Sequence, residues 1–268
     1  VSHIDENGFV RFSSIGGVFG RYLLGGRVRF LNGVTGVIGN DRLEKVHEMP
    51  AMDKIFIDVG ATSKKDCPVK VGDVAAFDRP FADMGNRLVA KSMDDRVGVL
   101  VAIETLRALK STPHDIYFVF TTQEEVGVRG ATTSAFGIDP DLGIAIDVTP
   151  AADTPNAFKM EMKLGKGPCV KIQDAGMIAD PRIVQWMIRT AEKNKIPYQR
   201  EVLLFGGTDA RAIQLTRAGV PAGCLSIPVR YVHSPSEMVD FADVQNSVKL
   251  LTALLRAKID LYISDLAQ

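Results

Sequence analysis

Four short stretches of the 268-residue chain hold the side chains with which it could do chemistry. They are Ser92-Met-Asp94-Asp95-Arg96, Thr121-Thr-Gln-Glu124-Glu125, Asp147 and Tyr231-Val-His233. Each has an ordinary structural explanation. Asp94 can cap a helix N-terminus, a place that favours Asp. Thr122 and Glu125 have the spacing of a capping box. Asp147 can open a turn, and His233 can be a surface histidine. Taken together they read differently. Carboxylates gathered at one point repel one another and resist ionisation unless a cation sits among them. Oxygen donors plus one imidazole suit zinc, cobalt or manganese. Two such ions about 3.5–4 Å apart suit hydrolysis, because they hold the attacking and the substrate oxygen together. The adjacent pair Glu124-Glu125 then offers one carboxylate as a ligand and one as a general base. Imidazole is scarce: His3, His47, His114 and His233 are the only histidines.

The elements that would position these residues change character near residue 88. Before it, glycine alternates with strand-length runs at 8–12, 26–30, 33–38, 54–58 and 69–77. We read residues 1–87 as a β-rich domain, a small barrel or sandwich. After it, strands and helices alternate, which predicts a layered α/β domain over 88–268 with a parallel or mixed sheet. Residues 95–110 have helical apolar spacing. Residues 115–121 (DIYFVFT) and 142–146 read as buried strands, and Pro181 opens a helix through Lys195. Further strands are expected at 199–205 and 222–228, and helices at 208–218 and 241–260. All four stretches then fall at strand ends, or at the start of the helix after one, where function collects in α/β sheets.

Composition narrows the partners. Lys plus Arg and Asp plus Glu number 32 each, so no basic excess is available for a phosphate backbone and no nucleic-acid partner is expected. No apolar run approaches the roughly 20 residues that span a bilayer, and no signal peptide is visible, so no membrane partner is expected. Cys67, Cys169 and Cys224 are too few and too scattered for a disulfide framework. They read as small buried hydrophobes of a reducing, cytoplasmic compartment.

The chain closely resembles the M42 metallo-aminopeptidases, the glutamyl/leucyl and tetrahedral aminopeptidase group. The resemblance runs through HIDENGFVRFSSIGGV at 3–18, KSMDDRVG at 91–98, TTQEEVGVRGA at 121–131, AIDVTPAADTP at 145–155, LGKGP at 164–168, FGGTDARAIQLTRAGVP at 205–221 and SIPVRYVHSPSE at 226–237. It implies a zinc-peptidase-like α/β/α sandwich with a central mixed sheet, carrying an inserted, barrel-like dimerisation domain. It implies two divalent ions, zinc or cobalt or manganese. Asp94 would bridge them, Glu125 would bind one and Asp147 the other, and His233 would complete one coordination sphere. Glu124 would be the general base. Gly206, Gly207, Thr208 and Asp209 would lie beside the substrate, a short peptide, and Asp153 matches no ligand position. The family builds hollow oligomers, commonly of twelve subunits, from dimers. Its fifth ligand is a histidine in an H-x-D-E-x-G segment. His3 imitates it but leads directly into FVRFSSIGGV, so we align His3 with a second such stretch in the inserted domain and expect the true ligand before Val1.

Two other functions compete. A glycosidase needs two carboxyls about 5–9.5 Å apart, which spacing alone does not exclude. It would leave His233 and the additional acids unexplained, and Trp186 is the only tryptophan for a sugar platform. A non-catalytic assembly subunit would not need the full acidic set.

Overall fold

The computed structural model describes residues 1–43 and 48–261, and His47 lies outside them. The chain divides into two compact units. The first is Val1–Phe81 with His233–Ser236; the second begins at Ala82 and excludes that four-residue segment.

The first unit is a six-stranded antiparallel sheet. Its strands are β1 (His3–Ile4), β2 (Val10–Arg11), β3 (Arg27–Phe30), β4 (Thr35–Asn40), β5 (Ile55–Asp58) and β6 (Ala75–Phe77), in the order β1-β2-β5-β4-β3-β6. The alternation in sequence sets the faces. In β3, Val28 and Phe30 point inward while Arg27 and Arg29 are exposed. In β5, Ile55 and Ile57 are buried and Asp58 is exposed. With Ile4, Val10, Leu23, Ile38 and Val69 they make a wholly apolar core. The order is an open one: no ladder joins β1 to β6 among the described residues, so the sheet is reported as a sheet and not as a closed barrel. The predicted run 69–77 shortens to β6, because Lys70–Asp73 form a turn held by the Asp73 carboxylate.

The second unit is mixed α/β. Its elements are β7 (Ala82–Asp83), β8 (Arg87–Ala90), α1 (Met93–Ala108), α2 (Arg129–Ile138), β9 (Gly143–Pro150), β10 (Cys169–Gln173), α3 (Pro181–Lys193), β11 (Gln199–Val202), α4 (Asp209–Gln214), β12 (Ala222–Arg230), β13 (Glu237–Asp240) and α5 (Phe241–Arg256). The centre is β12, buried along nearly its whole length, as its largely apolar run requires. β9 runs parallel along one edge of β12, from Ala222↔Gly143 to Val229↔Pro150. The opposite edge is shared by β10, which leads to β11, and β13, which leads to β8 and β7.

Helices cover both faces. Gly143 and Ala222 pair across the strands, so Gly223 faces the other way. A Cβ at 143 would meet Ile213 of α4 at 2.4 Å, and one at 223 would meet Ile183 of α3 at 2.6 Å. Helices α3 and α4 therefore lie on opposite sides of the sheet. The predicted helices at 95–110, 181–195, 208–218 and 241–260 are all present within a few residues. Asp180 caps α3 by accepting from the Arg182 N–H, with Pro181 in the first turn.

One predicted strand is absent. Residues 115–121 form no strand, and Tyr117, Val119 and Phe120 are 67%, 45% and 51% exposed. Strand propensity becomes a strand only when a ladder partner lies alongside, and none does among the described residues. The cysteines are free; Cys169 and Cys224 are fully buried and Cys67 is half-buried. No helix among the described residues is long and apolar enough to cross a membrane.

Candidate active site

Asp147 sits within β9, beside the central strand β12 and paired with its Ser226, and only 9% of it is exposed. Its Oδ1 accepts from the Val148 N–H at 2.7 Å. Asp94 and Asp95 lie at the start of α1, both with non-helical backbone. Asp94 does not take the N-cap position that would explain it structurally: Ser92 holds it, in left-handed conformation and without a side-chain bond. The Asp94 N–H instead donates to Glu237 Oε2 at 3.0 Å, a carboxylate buried in β13. Asp95 accepts from the Gly98 N–H at 3.1 Å, and a Cβ at 98 would strike its carboxylate at 2.3 Å. Glycine there leaves room for the Asp95 side chain to fold back over the helix.

This local geometry brings Asp94, Asp95 and Asp147 together, with one oxygen of each within 4.8 Å of the others. Burial raises the Asp95 carboxyl well above the usual range, and the charges of Asp94, Asp209 and Glu124 raise it further. Burial does the same to Asp147, reinforced by Asp95 and Asp94. No lysine or arginine pairs with Asp95 or Asp147 among the described residues. A cluster so placed either holds protons or holds a cation, and its hard oxygen donors fit a divalent ion.

Glu124 and Glu125 occupy a single 3-10 turn, Glu124–Val126, entered through Gln123 in left-handed conformation. No side-chain cap forms, so the capping-box spacing of Thr122 and Glu125 has no structural counterpart. Glu124 is half-buried and Glu125 exposed. Thr121, just before the turn, donates its hydroxyl to Asp209 Oδ2 at 2.6 Å. Asp209 opens α4, and Thr208 caps that helix by accepting from the Ala210 N–H. Burial raises the Asp209 carboxyl, and the Thr121 hydrogen bond partly opposes the rise. Gly206 takes a φ of +69°, which lets the loop turn into α4. Asp95, Glu124, Asp147 and Asp209 all line one cavity of about 880 Å³ in this unit.

His233, three residues past the end of β12, packs with the first unit. Its Nδ1 lies 2.9 Å from the Gly17 carbonyl, so Nδ1–H donates and the Nε2 lone pair is left for a ligand role. The Phe19 ring stacks beside it with centroids 6.3 Å apart. His3 stands exposed in β1, opposite Arg11. Asp153 forms a two-pronged ion pair with Arg230, 2.7 and 2.8 Å, and accepts from the Leu164 N–H.

Residues 1–250 match the family described as M42 glutamyl aminopeptidase. The chain belongs to the M42 aminopeptidase family. It is 45% identical over 255 residues to a protein of Acetivibrio thermocellus named "Putative aminopeptidase", a match covering 94% of this chain and 77% of that one. Its fold superposes with a TM-score of 0.92 on aminopeptidase APDkam598 from the archaeon Desulfurococcus kamchatkensis, at 45% identity, over 97% of this chain and 76% of that one. A second structure, at TM-score 0.87 and 32% identity over 95% of this chain and 79% of that one, is the Pyrococcus horikoshii TET1 peptidase, described as able to assemble into a tetrahedron or a large octahedral shell. Membership of an M42 peptidase family decides between the hydrolase readings in favour of the peptide bond.

Within that frame, sequence reading passed over two residues. Asp95 carries no role in the sequence reading; the non-helical backbone at both residues lets both carboxylates join Asp147. Glu237 ends the SIPVRYVHSPSE segment, and nothing in its spacing could show that it would hold the Asp94 N–H 143 positions away.

Proposed function

We propose that this M42 family member is a metal-dependent aminopeptidase that removes N-terminal residues from short peptides. Asp94, Glu125, Asp147 and His233 would hold two divalent ions, zinc or cobalt or manganese. The bound ions would supply Lewis-acid polarisation of the scissile carbonyl and a more acidic water. Glu124 takes a proton at its carboxylate from the attacking water and passes it to the leaving amine. Gly206, Gly207, Thr208 and Asp209 form the loop beside the peptide. The observation that carries this reading is the packing of Asp94, Asp95 and Asp147 with no lysine or arginine paired to Asp95 or Asp147. The Gly17 carbonyl supports the His233 role, since it fixes the tautomer that presents Nε2. We also assign residues 1–87 as a barrel-like dimerisation domain, residues 88–268 as the catalytic domain, and the assembly as a hollow homo-oligomer, a dodecamer built from dimers. A cytoplasmic location completes the reading.

The experiment is metal content together with release of N-terminal residues. The chain is stripped with a chelator, reloaded with zinc or cobalt and freed of excess. Two ions per chain, with peptide cleavage that returns only on reloading, is the expected result. Cleavage at full rate in the stripped chain would overturn the metal-dependent mechanism. His233→Ala should lose metal before it loses fold, and unchanged metal content would remove His233 from the ligand set.

A further inference from the structure

We propose that Arg21, set on an aromatic platform beside His233, binds the C-terminal carboxylate of the substrate and so selects peptides of about three residues. This rests on the proposed role of His233 at the metals, and it narrows the substrate to a length class.

The platform is built within the first unit. Residues Gly20–Tyr22 form a single 3-10 turn. The Tyr22 N–H donates to the Phe19 carbonyl at 3.0 Å, and the Leu23 N–H to the Gly20 carbonyl at 3.1 Å. Both ends of the turn are anchored. Leu23, 3% exposed, enters the apolar core. On the other side Gly17 abuts His233 so closely that a Cβ there would meet the imidazole Nδ1 at 2.6 Å. Phe19 stacks on the same imidazole. The Arg21 guanidinium carbon stands 4.7 Å from the Phe19 ring centre and 4.7 Å from that of Tyr22. Arg21 Nη2 also donates to the Tyr22 hydroxyl at 3.2 Å. The guanidinium is thus held in place at an open surface, with Arg21 and Phe19 both exposed.

The chemistry of the ligand follows from how the guanidinium is used. Two other arginines of this unit, Arg11 and Arg29, pair with Asp41 and Asp78. Arg21 forms no ion pair among the described residues. Aromatic rings take up the faces of a guanidinium and leave N–H groups of its edge available. Those groups match a carboxylate through two parallel hydrogen bonds. Reach fixes which carboxylate. The separations of 6.3 Å from His233 to Phe19 and 4.7 Å from Phe19 to Arg21 set the longest path. About three extended residues, at roughly 3.3–3.6 Å each, cover it. A peptide whose first residue is held at the metal end therefore brings the carboxylate of its third residue to Arg21. Every tripeptide carries that group whatever its sequence, and a longer chain has a peptide amide there instead.

The test titrates trialanine and its C-terminal amide separately into the zinc-reloaded chain, with cleavage followed in the same samples. The half-saturating concentration is read from the heat of binding where nothing is cleaved and from KM where cleavage occurs. Trialanine should half-saturate at about tenfold lower concentration than its amide, the effect of one charge-assisted pair. Arg21→Met should bring the two within about twofold, and Arg21→Lys, which keeps the charge without the fork, should retain part of the difference. Arg27→Met, at an exposed arginine of the same unit, should retain all of it. Hexaalanine and its amide should differ by under about twofold, because that carboxylate lies beyond reach. Equal behaviour of trialanine and its amide, absence of binding included, would overturn the proposal. So would a preference for trialanine that survives Arg21→Met, or an equal preference for Ala-Glu-Ala amide, which would give Arg21 to acidic side chains. Zinc uptake and cleavage without the carboxylate preference would end this inference and leave the metal reading standing. The preference without zinc uptake would do the reverse.

Discussion

The two units treat charge in opposite ways. In the first, the ion pairs Arg11–Asp41, Arg29–Asp78 and Lys64–Glu6 lie at the surface. Such pairs contribute about 0–1 kcal/mol each, and the core is apolar throughout. In the second, charge goes inside. Lys171 is fully buried on β10, bonded to Glu201 of β11 and 3.8 Å from Asp174. Burial alone would lower the Lys171 ammonium; the Glu201 carboxylate outweighs it and raises the group above its ordinary value. Asp243 is buried too, and accepts from the Gly165 and Gly167 N–H groups. These internal charges have partners in the protein. Among the described residues, Asp95 and Asp147 have no basic one. The contrast separates charge that is balanced within the chain from charge that, on the proposed metal reading, a bound cation would balance.

Two substitutions test that separation where the effects are largest. Glu124→Gln should lower peptide turnover by about 10²–10⁴-fold, the contribution of a general base. Metal content and the urea midpoint should stay within error of the parent. Equal turnover in mutant and parent would end the base assignment. Lys171→Met should do the reverse. Removing one partner of a buried pair leaves uncompensated charge, and Glu201 and Asp174 would lose the one cation they pair with among the described residues, at about 3–5 kcal/mol of stability. Urea unfolding measures this. The double change Lys171→Met with Glu201→Leu should recover much of the loss. No recovery would mean that Asp174, and not Glu201, is the partner that matters.

How much of this was legible in sequence depends on range. The β-rich first unit showed itself through alternation, because each of its strands has one apolar face. Helix α3 showed itself through Asp180-Pro181 and its apolar stripe. The candidate residues Asp94, Glu124, Glu125, Asp147 and His233 could be named because their segments fall at predicted element ends, whereas Asp209 was implied only by the family resemblance. What could not be read were partnerships across long separations. Glu237 holds the Asp94 N–H, Asp209 holds Thr121 across 88 positions, and Asp243 cradles the LGKGP loop across 76 and 78. Residues 115–121 failed for the complementary reason. Their composition is that of a strand, but a strand is a relation between two segments, and composition reports only one.

The first unit offers the matching control at moderate magnitude. Ile57 is 4% exposed and packs in the apolar core. Ile57→Ala should cost about 2–5 kcal/mol, and Ile57→Val about 0.5–1.5 kcal/mol. Arg29→Ala, which removes an exposed ion pair in the same unit, should change stability by under about 1 kcal/mol. A larger effect from Arg29 than from Ile57→Val would break the claim that this unit is held by apolar packing.

The smallest effect concerns acid. Asp153 in the second unit is partly buried against Arg230. Burial raises its carboxyl, but the two guanidinium hydrogen bonds and the Leu164 N–H outweigh that and hold it below the ordinary carboxylate value. A carboxyl whose folded value lies below its unfolded value, near 3.9, stabilises the fold in its charged form. That contribution is fully present above the unfolded value and is lost as the pH falls through the folded one. Arg230→Met removes the partner that lowers the folded value. The variant should therefore lose stability relative to the parent at pH 6, and the gap should narrow as both are taken from pH 5 towards pH 2. A gap that stays constant over that range would show that Arg230 acts through packing of its stem and not through the Asp153 charge.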